Sequence, residues 1–229
     1  MTNQFSTSER YCVSLVPIFN HLEQEQMNEV MQVVRKKSLK KGEFLYHAGE
    51  DSDALYIVNR GQVKIYRLSE SGKEQMLRIL MPGDFTGELA LFQEGVHEAY
   101  AEATIDTEIC MIRDDDFQRL LMKYPTISLK VLEEFSSRLD RSEQQTTRVA
   151  TEKVETRLAL FIAELADSDS SRESITVELP MSKKDLASYL GTTPETLSRR
   201  LAEFEEAGYI KMKGQREILV LDLDGLLFV

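Results

Sequence analysis

Glu195, Ser198 and Arg199 stand three and four residues apart in TTPETLSRRL (Thr192 to Leu201), a spacing that gathers them on one face of a helix. Their types suit base edges. Arginine can donate two hydrogen bonds to guanine, glutamate can accept from the cytosine amino group, and serine can do either. Glu195 and Arg199 at i, i+4 can also brace each other and pre-aim the guanidinium. The surface alternative makes Glu195 half of a capping box with Thr192 and Arg199 a solvated charge.

The flanking residues weigh against that alternative. SKKDLASYLG (Ser182 to Gly191) reads as a short helix. Ser182 and Asp185 give it a capping-box-like start, and Gly191 ends it. Thr192 or Thr193 then caps a second helix with Pro194 in its first turn. Leu197, Leu201 and Phe204 repeat at i, i+4, i+7 and must face a core, opposite the polar triplet. Two helices joined by a tight turn make a helix-turn-helix. After Gly208, YIKMKGQREILVLD reads as a hairpin turned at Gly214, a wing whose Lys211, Lys213 and Arg216 suit phosphates. Ser182, Lys183, Thr192, Thr193 and Arg200 complete the expected backbone-contact set.

Charge is consistent with a selective reader. The chain has 229 residues and a formal net charge of −11. Between Lys183 and Arg216, seven Lys/Arg face five Asp/Glu, a local +2. The acidic remainder counts against purely electrostatic DNA binding, not against site-specific reading.

Upstream, seven of the eleven glycines fall between residues 42 and 95, separating EFLYHA, ALYIVN, QVKIYRL and EQMLRIL. Regular turn signals around short β-rich runs predict an all-β barrel or sandwich, continuing through AEATI and EICMI. DDDFQRLLMKYP predicts a short helix stopped by Pro125. A stretch free of Gly and Pro then runs from Thr126 to about Ala166. Leu132, Phe135, Leu139, Ser142, Thr146 and Val149 follow in alternating threes and fours, a heptad seam weakening toward its end. Two readings stand: a seam between two chains, or a helix packed on its own barrel. The expected domains are a barrel with flanking helices (1–125), a long helix (126–150) and a reading domain (151–229).

Other chemistries are poorly served. His21, His47 and His97 make no ligand pattern, and no H-x-H occurs, which argues against a metal site or a cupin-type enzyme. Cys12 and Cys110 are too few for a four-cysteine site in one chain. No apolar run reaches membrane-spanning length, and MTNQFSTSERYC is no secretory signal, so a cytoplasmic protein with no membrane partner is expected. A ligand-binding scaffold module without DNA reading is the remote alternative.

GDFTGELALFQEG (Gly83 to Gly95), set between glycine-spaced strands and a long helix followed by a winged helix-turn-helix, resembles the CRP/FNR transcription regulators over nearly the whole chain. The resemblance implies an α+β chain: an N-terminal cyclic-nucleotide-binding-type β jelly-roll barrel, a long dimerisation helix and a C-terminal winged helix-turn-helix. It implies a homodimer on palindromic double-stranded DNA, with RNA polymerase as partner if the protein activates. PETLSRRL is similar to the FNR-type reading pattern, with Glu195, Ser198 and Arg199 as base readers. Pro194 stands where the catabolite-activator type has arginine, so the FNR-type box TTGAT-N4-ATCAA is expected.

The effector positions match less well. Gly87 and Glu88 fit the family's Gly-Glu, yet ten residues on Glu98 and Ala99 replace the Arg-Ser that holds a cyclic phosphate. A carboxylate there should repel the anion, so no response to cyclic AMP is expected; Gly87 and Glu88 then read as a retained turn. With one cysteine near the N-terminus, the chain resembles an FNR-like subgroup lacking the iron–sulfur cysteine cluster, and no cofactor is expected. Cys12 and Cys110 resemble the two cysteines that some Gram-positive FNR-like proteins are thought to use as a reversible disulfide. The alternatives are two inert buried thiols, or a small-molecule signal in the barrel.

Overall fold

The computed structural model describes residues 13–88, 95–167 and 175–229. The chain divides into two compact units, one running up to Gly72 and resuming over Leu77–Asp140, the other comprising Lys73–Met76 and Arg141–Val229.

α1 (Gln24–Val33) precedes eight strands, which lie in the first unit except for the first three residues of β5: β1 (Arg35–Leu39), β2 (Phe44–Tyr46), β3 (Ala54–Arg60), β4 (Val63–Leu68), β5 (Glu74–Leu80), β6 (Phe85–Thr86), β7 (Tyr100–Ala103) and β8 (Thr107–Arg113). They form two four-stranded sheets, β1-β8-β3-β6 and β2-β7-β4-β5. This is the jelly-roll barrel. β3 shows why it closes. Ala54, Tyr56 and Val58 point into the space between the sheets with Leu45, Ile65 and Ile109. Leu55 and Ile57 point the other way, against Val16, Phe19, Phe117 and Ile127. With both faces covered, the strand is apolar at successive positions rather than alternating.

α2 (Asp114–Lys123) begins with three aspartates, which favour a helix N-terminus, and α3 (Pro125–Thr151) follows after one residue. Pro125 both ends α2 and opens α3, because a proline in the first turn forfeits no helical hydrogen bond. α3 stops at Thr151, and α4 (Val154–Asp167) starts anew two residues later. On α3, Ile127 and Val131 are buried, and Phe135 packs partly against the barrel core. Leu132 and Leu139 are 59% and 61% exposed, with Leu129 and Val149 also exposed. The expected seam therefore divides: Phe135 faces the barrel, and the leucines face outward. Ser142 and Thr146 are exposed with the leucines.

The second unit holds α4, β9 (Ile175–Glu178), α5 (Lys183–Tyr189), α6 (Pro194–Glu206), β10 (Ile210–Met212), β11 (Glu217–Val220) and α7 (Leu223–Leu227). The sheet order is β10-β11-β9, antiparallel throughout. Leu158 and Ile162 of α4, Leu186 of α5 and Leu197 of α6 are fully buried. Among the described residues no helix is long and apolar enough to cross a membrane.

Candidate nucleic-acid interface

Local sequence sets the α5–turn–α6 geometry. The Ser182 hydroxyl accepts from the Asp185 N–H at 3.1 Å and donates to the Asp185 carboxylate at 2.5 Å. α5 closes on Leu190, and Gly191 takes φ +67°, a left-handed conformation glycine adopts without steric cost. The turn is stitched by Thr192 N–H donating to Ala187 O at 2.8 Å. Thr193, not Thr192, caps α6, accepting from the Thr196 N–H at 3.2 Å, with Pro194 in the first turn.

α6 buries Leu197, Leu201 and Phe204 and turns Glu195, Ser198 and Arg199 outward. The triplet shares one exposed face in the helix's first turns. Its bracing differs from expectation: Arg199 Nε lies 3.9 Å from Glu203 Oε1, one turn onward, while its side chain stays 63% exposed. Glu195 is held below the usual carboxylate range by its own backbone N–H and then by the Thr193 hydroxyl, so it is an ionised acceptor at neutral pH.

Arg200 is placed otherwise than the sequence suggested. Its Nη2 is 3.1 Å from Glu155 of α4 and its Nη1 is 2.6 Å from Glu203. These contacts make it a brace between α4 and α6, with its charge already engaged by two carboxylates. Lys211, Lys213 and Arg216 are exposed on the β10–β11 hairpin. The hairpin is tied to α6 by the Met212 N–H donating to Glu205 at 2.9 Å. Lys183 is half-buried and Thr193 exposed.

The barrel holds a second polar cluster. Gly87 has φ +84°, and a Cβ there would stand 2.2 Å from Ala54 O, so backbone contact demands glycine. Glu88 is buried. Its Oε1 accepts from Arg138 of α3 at 2.8 Å and from Arg78 at 3.4 Å, while its Oε2 is buried without a hydrogen bond. Arg138 also donates to Phe85 O at 3.1 Å and covers the Phe85 ring at 4.1 Å. Tyr46 shares a hydrogen bond with Thr86 at 2.8 Å and stacks on His97 at 3.5 Å. Burial pushes the Tyr46 phenol up to about 12 and keeps His97 below its usual range, hence neutral. Arg78, Arg138, Tyr46 and Thr86 carry no motif that marks them in the sequence; they meet only through the barrel's topology. The expected partners behave differently. Glu98 is an exposed side chain paired with Arg67, so its repulsion of an anion is screened by solvent and a counter-charge. Ala99 packs against the inter-sheet core.

Cys110 is disulfide-bonded and buried on the face of β8 that carries Val13 and Val16. Cys12 lies outside the described residues. Among the described residues no group of three His, Cys, Asp or Glu could hold a metal ion.

A capped helix-turn-helix with an exposed polar face and a cationic wing defines a DNA-binding protein. Comparison with known proteins agrees. Residues 36–124 match the cyclic nucleotide-binding domain and residues 156–228 the Crp-like helix-turn-helix domain. The chain is 32% identical to the "probable transcriptional regulator flp" of Lacticaseibacillus casei, over 94% of this chain and 96% of that one. It is 33% identical to the "anaerobic regulatory protein" of Haemophilus influenzae, over 91% of this chain and 80% of that one. A CooA mutant from Carboxydothermus hydrogenoformans superposes with a TM-score of 0.78 at 25% identity, covering 93% of each chain. The chain belongs to the CRP/FNR family of DNA-binding transcription regulators, and it is not an enzyme.

Proposed function

We propose that the protein regulates transcription as a homodimer on a palindromic FNR-type site, TTGAT-N4-ATCAA, with Glu195, Ser198 and Arg199 reading bases in each half. The observation that carries this is their shared exposed face in the first turns of α6, the part of such a helix that enters the major groove. Ser182, Lys183, Thr192, Thr193, Lys211, Lys213 and Arg216 are the phosphate-contact set around it. The outward Leu132, Leu139, Thr146 and Val149 form the dimer seam, together with Leu129. RNA polymerase is the further partner where the protein activates.

The signal is redox, carried by Cys12 and Cys110. Two thiols lose two electrons and two protons to a peroxide-class oxidant and close a disulfide; a dithiol reverses it. Support comes from the disulfide recorded at Cys110 in a chain with two cysteines, and from Val13 lying in the same packed layer. Cyclic AMP is not the effector, because position 98 offers no cation for a cyclic phosphate and Arg138 and Arg78 already occupy Glu88. One observation favours a second reading, a small polar effector in the barrel: the buried, unbonded Glu88 Oε2 and His97 Nε2.

The test is a gel-shift titration on the TTGAT-N4-ATCAA duplex in excess non-specific DNA, with reduced and oxidised protein and a Cys110→Ser control. Redox-dependent retention abolished by the mutation supports the thiol switch. Redox-indifferent retention removes the switch and leaves the barrel effector.

A further inference from the structure

The break between α3 and α4 is closed by one buried guanidinium. The last carbonyls of a helix have no helical donors, and their dipoles leave partial negative charge there. Glu152 N–H makes the last bond, to Arg148 O at 2.9 Å. Arg157, one turn into α4, then reaches back: its Nη1 donates to Glu152 O at 2.6 Å and to Val149 O at 3.3 Å. The residue is only 8% exposed, and its Nε is buried without a partner. Burying a cation on main-chain carbonyls is costly, so the arrangement holds one angle between the helices or loses its acceptors. A second tie across the break, Arg148 to Glu164, is more exposed and therefore weaker in salt.

α4 passes this constraint on. Glu155, two residues before Arg157, holds Arg200 of the reading helix at 3.1 Å, and Arg200 is fixed again by Glu203. The constraint thus runs from the end of α3 through the Arg157 hydrogen bonds, along the first turn of the α4 backbone to Glu155, and through the Glu155–Arg200 ion pair to α6. We propose that Arg157 is a positioning residue that sets the α3–α4 elbow, and with it the aim of the reading helix, so that it selects the half-site spacing the dimer accepts. This rests on the homodimer-on-palindrome reading above. A dimer contacts its two half-sites at one fixed separation, and an elbow free to bend would tolerate several.

The experiment uses the full chain on duplexes whose two half-sites are separated by three, four, five or six base pairs, and on a duplex with one half-site. The wild type is expected to bind best at one spacing. Arg157→Ala is expected to lose about tenfold at that spacing, flatten the profile, and leave one-half-site binding unchanged. Arg157→Lys, which keeps a cation near the carbonyls, is expected to restore part of the peak, and Glu155→Gln to flatten it partly. An unaltered profile in Arg157→Ala, or an equal loss on every duplex including the single half-site, overturns the proposal. If Arg157→Ala fails to fold by circular dichroism, wild-type profiles in both Arg157→Lys and Glu155→Gln overturn it. A wild type with no preferred spacing removes the palindrome reading, and the elbow proposal with it.

Discussion

In the proposed function three side chains, Glu195, Ser198 and Arg199, read bases, and Arg199 gives the sharpest test. Arg199→Ala is expected to cost about 1–3 kcal/mol on the specific duplex and to relax selectivity at one guanine. Arg199→Lys should not restore it, because an ammonium cannot supply the planar two-donor fork; competition against single-base variants of the duplex checks both. Lys211, Lys213 and Arg216, as the proposed phosphate contacts, should act on any sequence, so replacing each with alanine is expected to lower the slope of log K against log salt by about one. Tyr46 gives a pH test. Its phenol is favoured neutral in the fold, so its contribution is complete below about pH 10, its unfolded value, and is lost as pH rises toward about 12. The difference in denaturation midpoint between wild type and Tyr46→Phe should stay constant below pH 10 and shrink above it. Sequence showed the triplet plainly, since a helical spacing and a set of donor types are both local. It misled at Arg200, where the pairing with Glu155 depends on a residue 45 positions earlier that only folding brings near.

Elements are where local chemistry and tertiary context part company. Caps, turn glycine and apolar stripe made α5 and α6 readable, because each signal lies within a few residues of the helix it shapes. The four glycine-bounded strands β2 to β5 were readable for the same reason. β1 was not: RKKSL has no alternation, and the strand exists because Leu39 enters the core and β8 supplies its ladder. The break at Glu152 carries no Gly or Pro, and the carbonyls it exposes are met by Arg157, five residues on. Gly191→Ala tests the turn. Space exists, with Val149 3.5 Å from the new Cβ, so the cost is the left-handed φ, roughly 1–2 kcal/mol in a denaturant titration. Leu139→Asp places a charge on the outward row of α3, and sedimentation is expected to show a dimer for the wild type and a monomer for the variant.

The whole molecule joins a sensory-type barrel to a DNA reader in a chain that is acidic overall. Non-specific attraction to DNA is weak in such a chain, so under the proposed function its occupancy of a site is expected to depend on base contacts made in both halves. Family membership could be read from the sequence because it rests on the order of elements, which the glycine spacing and caps record. The polar cluster in the barrel could not, because Tyr46, Arg78, Glu88 and Arg138 are spread over 93 positions and joined only by the fold. The most direct measurement is a competitive binding titration at physiological salt on three duplexes: the intact palindrome, the palindrome with one half scrambled, and a random sequence. The intact palindrome is expected to be bound about 10³-fold or more above random, with most of that preference lost when either half is scrambled. Equal affinity for all three duplexes, in both reduced and oxidised protein, would contradict sequence-specific reading by a dimer.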